Sequence, residues 1–296
     1  MKRTPSLVAV TMLAVVGLAA VHGQAPAPAA KPQTATSQPP GRPPIQAKTQ
    51  EEYQAYQAAV GNAQNPAAME KAADDFAAKF PASDLRVLLY RAAMHSYQTA
   101  ANSPKMMDMG LKVLAIDKDD PEALIGVGEV LEEQTSATDL DRDQRMNQAT
   151  TYAQHALETV DADLAVPAGS SPERVEAYKK YLRATALATI GTIQYKREQY
   201  ADAEGNLRKA IEADVENPDA VVILRLALAL DQQKKYQEAL QQASRAVELT
   251  QDSTDVGKMA RNERDRLVVV TGGNNTPISP TPPAAGSKAP APPPNH

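Results

Sequence analysis

The stretch QYADAEGNLRKAIEAD at residues 199–214 is followed by a similar one, KYQEALQQASRAVELT, at residues 235–250. Three positions of the first stretch recur 36 residues later in the second, namely Tyr200, Ala203 and Ala210 as Tyr236, Ala239 and Ala246. A fixed period of this length is typical of stacked helical repeats, in which each unit buries its apolar face against its neighbours. The sequence therefore predicts a repeat architecture, and the rest of the chain can be compared with these two units.

Apolar residues recur at spacings of three and four along most of the chain, which is the pattern of amphipathic helices. Five capping residues each precede a proline, in the pairs Asn65–Pro66, Ser103–Pro104, Asp120–Pro121, Ser171–Pro172 and Asn217–Pro218. Such a pair favours a helix start, because the side-chain oxygen accepts from free backbone N–H groups of the first turn. Proline fits the first helical position, because the N–H that it lacks would have no hydrogen-bond partner within the helix. The predicted fold is all-α, with helices at about 50–62, 66–80, 84–101, 104–116, 121–134, 142–160, 172–198, 201–214, 218–233, 237–250 and 254–270.

These units resemble tetratricopeptide repeats (TPRs), which are helix–turn–helix units of about 34 residues. Gly128 and Gly191 stand where that family places a small first-helix residue, and the recurring alanines stand at its second-helix positions. The first unit has the bulkier Met94 at the glycine position, so we expect it to pack more loosely or at a changed angle. The resemblance covers four units over residues 84–251, and it implies a right-handed α-solenoid of antiparallel helix pairs.

The segments around the four units complete the predicted domain organisation. Residues 48–83 form an N-terminal helix pair, and residues 252–271 form a capping helix whose polar outer face covers the last apolar surface. The linker at residues 24–47 and the tail at residues 272–296 are rich in proline and alanine. They lack the apolar content needed to bury a core, so we expect both to be disordered.

The first 23 residues have the features of a secretory signal peptide. Lys2 and Arg3 precede an apolar run at residues 7–21, and Val21 and Gly23 provide small residues before a cut at Gln24. An uncleaved anchor is the alternative, although the run is shorter than the roughly 20 residues that a spanning helix needs. We expect an exported protein of bacterial type, located in the periplasm or cell envelope, with no membrane span after cleavage.

The composition and the motifs argue against several classes of function. The chain has 31 basic and 36 acidic residues and no dense basic stretch, which disfavours nucleic acid as a partner. It has no cysteine, so disulfides and a catalytic thiol are excluded. Phosphate-loop and zinc-protease motifs are missing, and His95 and His155 are far apart in the sequence. We therefore predict no enzymatic activity, no cofactor and no metal.

One acidic pattern resembles the start of a calcium-binding loop. Asp139, Asp141 and Asp143 alternate as such a loop requires, but Gln144 and Thr150 replace the glycine and glutamate that complete it. The favoured interpretation is that Asp141 caps a helix and that its neighbours interact with the positive end of the helix dipole.

The TPR resemblance also implies a concave surface lined by the first helix of each unit. The residues predicted to contact a partner there are Arg91, His95, Gln98, Ile125, Glu129, Glu132, Ala188, Thr192, Tyr195, Leu224 and Leu228. We expect apolar partner residues to dock at Leu224 and Leu228 and positive charge to lie near Glu129 and Glu132. The small Ala188 is expected to leave room for a bulky partner side chain.

The sequence therefore predicts that the protein is a non-catalytic protein–protein interaction scaffold that docks a partner peptide or helix. The alternative is a self-associating structural or assembly component of the envelope, so the sequence leaves a homo-oligomer open.

Overall fold

The computed structural model describes residues 45–166 and 169–273. The predicted signal peptide, most of the linker and nearly all of the C-terminal tail lie outside these residues. Eleven α-helices occupy the described part of the chain: α1 (Gln50–Val60), α2 (Pro66–Lys79), α3 (Leu85–Thr99), α4 (Ser103–Leu114), α5 (Pro121–Gln134), α6 (Arg142–Thr159), α7 (Pro172–Lys196), α8 (Tyr200–Ala213), α9 (Ala220–Gln232), α10 (Tyr236–Glu248) and α11 (Asp255–Val270). The all-α prediction is confirmed.

Most of the predicted helix starts are confirmed by capping hydrogen bonds. Asn65, Asp120 and Ser171 each accept a backbone N–H from the first turn of the following helix. Two predicted starts are wrong. Asn102 rather than Ser103 caps α4, and α9 begins at Ala220, after the predicted proline, because Asp219 supplies the capping oxygen.

The helices pack in two layers. We call α3, α5, α7 and α9 the A helices and α4, α6, α8 and α10 the B helices of the four units. Each helix packs on the next along the chain, and α5 also packs on α7, α7 on α9, and α9 on α11. The A helices and α11 thus form one layer, and the B helices form the other, which is the arrangement of an α-solenoid.

The turn between the A and B helices is the same in the first, third and fourth units. Ala101, Glu198 and Lys234 have φ of 53°, 63° and 61°. In each case the N–H of the following residue donates to the carbonyl oxygen of the residue five positions before it, at N–O distances of 2.9, 2.9 and 3.0 Å. This is a Schellman turn, which normally uses glycine at the left-handed position. Helix α11 ends in the same way, with Gly273 N–H bonded to Val268 O at 2.8 Å. It therefore ends as an A helix does.

Close contact between the layers depends on glycine. A Cβ on Gly191 of α7 would lie 2.8 Å from Cγ of Leu207 in α8, and one on Gly128 of α5 would lie 3.3 Å from Ala149 O in α6. The A and B helices of these units therefore approach more closely than a larger residue allows. The second-helix alanines that recur with the repeat period are all buried, at Ala203, Ala210, Ala239 and Ala246.

In the first unit, the glycines lie opposite the first-helix position instead of at it. Met94 is buried, and its sulfur lies 3.3 Å and 3.5 Å from the positions of a Cβ on Gly110 and Gly126. These two glycines make room for the larger side chain. The expectation of looser packing at Met94 is therefore wrong.

Across the described residues, each helix is too short or too polar to cross a bilayer.

Candidate functional site

All eleven residues predicted to contact a partner lie on A helices. Three belong to α3, three to α5, three to α7 and two to α9. We call the layer that these helices form with α11 the A-helix face. Contacts within this face divide the predicted residues into a buried group and a surface group.

Arg91 of α3 is buried and is paired with a residue of the next unit. Its guanidinium forms an ion pair with Asp120, and this carboxylate is fully buried. The second Asp120 oxygen accepts the N–H of Ala123 at 2.9 Å, so one side chain caps α5 and neutralises Arg91. Arg91 is therefore held inside the protein and is not offered to a partner.

His95 lies one helical turn further along α3. Its Nε2 is 2.6 Å from a carboxylate oxygen of Glu122 in α5, and its side chain is 43% exposed. Tyr178 of α7 also lies close to Glu122. Arg91, His95, Asp120, Glu122 and Tyr178 form a connected set, which we call the ionic network.

The environment of the network changes the pKa values of its members. Burial disfavours the charged form of Glu122, but the charge of Arg91 and the hydrogen bond from His95 are stronger and lower its pKa to about 2. Burial would lower the pKa of His95, but the bond to Glu122 and the charge of Glu122 raise it overall. Both effects favour an ion pair of imidazolium and carboxylate between two repeats.

The sequence predicted that the carboxylate of Glu132 contacts a partner, but this prediction is wrong. It is 1% exposed, and the ammonium of Lys196 in α7 lies 2.7 Å from it. The chain thus supplies the positive charge that was expected from a partner. Glu129, on the same helix, is half-buried.

The predicted space beside Ala188 in the third unit is filled. Ala188 and Thr192 are both buried, and the Thr192 hydroxyl donates to Ala188 O at 2.7 Å and accepts from Arg225. Ile125 of α5 is also buried in the core. These three positions are parts of the repeat interfaces, and the prediction that Ala188 leaves room for a partner is wrong for this conformation.

Two further predicted residues, Gln98 and Tyr195, reach the surface. Gln98 is half-buried, with its side-chain oxygen 3.4 Å from Nδ1 of His95. Tyr195 is half-buried and meets Tyr200 edge to face, with the ring centroids 5.6 Å apart.

The fourth unit and α11 together form a groove. Leu224 is 0% exposed and Leu228 is half-buried, while Met259 of α11 is 39% exposed. The groove, of about 270 Å3, is lined by Leu224, Leu228, Met259, Asn262, Glu263 and Arg266, and we call it the C-terminal groove. Sequence reasoning found its α9 side but missed its α11 side.

Charged groups form the rim of the C-terminal groove. A guanidinium nitrogen of Arg266 lies 2.6 Å from an oxygen of Asp231 and 2.9 Å from one of Glu263. Two carboxylates thus surround one guanidinium. The groove thus has an apolar floor, and beside it two carboxylates face a single guanidinium, with Asp231 just outside the residues that line the groove.

The aspartates that resemble a calcium-binding loop interact with neighbouring residues of the same segment. Asp139 accepts the N–H of Ser136 at 2.8 Å and lies 3.5 Å from Arg145. Asp141 is the N-cap residue of α6, but its side chain makes no capping hydrogen bond, so the predicted cap is only partly right. Within residues 45–166 and 169–273, no three His, Asp or Glu side chains are grouped to hold a metal ion.

Comparisons with known proteins identify the fold. No protein-family model and no curated protein matches the chain. The structure of PilF from Pseudomonas aeruginosa is similar, with a TM-score of 0.52, 16% identity, and coverage of 76% of this chain and 87% of PilF. TTC0263, a thermophilic TPR protein from Thermus thermophilus, gives 0.44 at 15% identity over 72% of this chain and 98% of its own. Acl4, an assembly chaperone of RpL4, gives 0.42 at 11% identity over 75% and 98%. The likeness to PilF shows that the chain has the α-solenoid fold of TPR proteins.

Proposed function

We propose that this protein is a non-catalytic interaction scaffold that docks a segment of a partner protein on its A-helix face after export to the periplasm or cell envelope. A solenoid of stacked helix pairs presents an extended surface that suits such binding. Export rests on the sequence of the first 23 residues. The lack of catalysis rests on the missing motifs and stays a prediction.

The C-terminal groove is the observation that carries the proposal. Leu228 and Met259 come from two different helices and together expose apolar surface between them. Methionine is flexible and polarizable, so it adapts to the shape of an inserted side chain. An exposed apolar floor with a polar rim is the usual arrangement of a docking site for one anchoring side chain.

The rim indicates which segment fits the groove. Glu263 on the rim and Asp231 just outside the lining carry two negative charges beside the one positive charge of Arg266. A partner segment with an apolar anchor and a neighbouring lysine or arginine complements both features. The anchoring contacts fall on Leu228 and Met259, because Leu224 is covered by α11 and contributes only to the floor.

One observation favours the alternative, a self-associating assembly component. Helix α11 ends with the turn that leads from an A helix to a B helix in the other units. Val269 and Val270, at this end, are exposed, and Val269 is 81% exposed. A second copy could cover this end where a further B helix would lie. Light scattering separates the two functions, because a scaffold can be monomeric and an assembly component cannot.

Partner capture with matched variants tests the proposed function. The chain from Gln24, tagged at its C terminus, is used to capture proteins from envelope extract, beside the variants Leu228→Asp and Leu249→Asp. Leu249 is an exposed leucine at the end of α10 that does not line the groove. We expect a protein that the parent and Leu249→Asp retain and that Leu228→Asp loses. Identical captures by all three contradict docking in the groove, and capture of the protein itself alone favours assembly.

A further inference from the structure

The ionic network spans the joint between the first and second repeats. Arg91 and His95 project from α3, and Asp120 and Glu122 stand at the start of α5. Tyr178 reaches Glu122 from α7. Every polar bond between α3 and α5 described above runs through these residues, so the network ties the A helices of the first two units together.

The apolar part of the same joint is adaptable. Met94 and Met106 pack against Gly126 of α5, with Met106 Cε only 2.8 Å from the position of a Cβ on that glycine. Unbranched methionine side chains can occupy this space in several conformations, unlike the leucine and alanine contacts of later units. The joint is densely packed in the observed conformation, but flexible methionines can also fill it at a slightly different angle, so the polar contacts help to fix that angle.

Within the network, His95 is the member whose ordinary pKa lies nearest to neutral pH. Arginine stays protonated, and the carboxyl of Glu122 is ionised at neutral pH because its pKa is lowered to about 2. Protonated His95 makes a charge-assisted bond to Glu122, which is roughly twice as strong as a neutral one. Neutral His95 loses that part of the bond. Glu122 keeps Tyr178 and the nearby charge of Arg91, so its carboxylate is not left unpaired.

We propose that His95 is a pH-sensitive clasp that fixes the orientation of the first repeat when its imidazole is protonated and releases it when the imidazole is neutral. The groups that face the imidazole are Glu122 from α5 and Arg91 and Gln98 from its own helix. Glu122 favours protonation and Arg91 opposes it, with Glu122 dominant. The clasp lies on the A-helix face, so its release changes the shape of the surface offered to a partner.

Distance measurements between spin labels test the clasp directly. The chain has no cysteine, so Ala78→Cys on α2 and Lys209→Cys on α8 place two labels at exposed positions on either side of the joint. Distances are measured in the full chain at about pH 5.5 and about pH 8.5, on either side of the ordinary histidine pKa of about 6.5. We expect the distance distribution to shift or broaden at the higher pH.

Two variants separate the clasp from general pH effects. His95→Gln should give the same distribution at both pH values, and so should Glu122→Gln, provided that circular dichroism shows native helix content. The control His155→Gln removes the other described histidine, which pairs with Asp119 rather than with a member of the network, and should behave as the parent does. A parent distribution that does not change with pH would overturn the proposal, as would an undiminished change in His95→Gln.

Discussion

The side chains of His95 and Glu122 are 27 positions apart in the sequence, and their Nε2 and Oε2 atoms lie 2.6 Å apart in the fold. This contact joins the A helices of two repeats on the surface that we propose for partner binding. Because one partner is a histidine with a raised pKa, the contact makes the stability of the protein depend on pH.

The first prediction concerns that dependence. The pKa of His95 is raised above 6.5 in the folded state, so its stabilising effect is complete below that pH and is lost as the pH rises through the folded value. The difference in free energy of unfolding between the parent and His95→Gln should therefore shrink toward alkaline pH. The imidazole is nearly half exposed, so screening by solvent limits the effect to about 1 kcal/mol or less. Urea unfolding at a series of pH values measures it, and a difference that grows with pH contradicts the assignment.

The second prediction compares two helix caps. Asp120→Ala removes the cap of α5 and leaves Arg91 buried without its counterion, which should destabilise the protein by about 3–5 kcal/mol. Asp219→Ala removes only the cap of α9, an exposed residue, and should cost about 1 kcal/mol. Chemical denaturation of both variants gives the comparison. Equal losses would show that the ion pair contributes nothing beyond the cap.

The third prediction uses two glycines of the same unit. Gly191→Ala places a methyl group 2.8 Å from Leu207 Cγ and 3.2 Å from Leu207 N, so it should destabilise the fold by about 1–3 kcal/mol. Gly205→Ala, in α8, meets nothing within 4 Å and should stabilise the helix by about 0.5–1 kcal/mol. Thermal melts of the two variants should move in opposite directions. A shift in the same direction would mean that the A–B contact at Gly191 is looser than described.

The fourth prediction concerns Glu132 and Lys196. Lys196→Met leaves a buried carboxylate without its counterion and should destabilise the protein by about 3 kcal/mol. Adding Glu132→Gln removes the charge that was left unpaired, so the double variant should recover most of the loss. A double-mutant cycle in urea gives the coupling energy. Independent, additive effects would show that the two side chains do not interact.

Local patterns in the sequence are sufficient to predict most of the fold. Spacings of three and four, together with capping residues before prolines, place all eleven helices of the described residues, and the recurrence of Tyr200 at Tyr236 identifies the repeat. The errors are also local. Asn102 and Asp219 cap helices because these competing oxygens stand one and two residues from the predicted caps, and a pattern cannot decide between caps this close together.

The candidate site is less predictable, because it depends on contacts between units. Helical spacing identifies the side of an A helix that points away from its own B helix, but neighbouring A helices cover part of that side. Ala188 and Leu224 are buried for this reason. The pairs His95–Glu122 and Glu132–Lys196 join residues of different repeats, and no periodicity in the sequence reports such pairing.

The proposed function is tested most directly by a binding titration with the captured partner. Once purified, the protein that Leu228→Asp fails to retain is titrated by calorimetry into the parent, Leu228→Asp and Leu249→Asp. We expect the parent and Leu249→Asp to bind equally and Leu228→Asp to bind at least about tenfold more weakly, as loss of a central apolar anchor requires. Equal affinities in all three would place the partner elsewhere on the protein and contradict docking in the C-terminal groove.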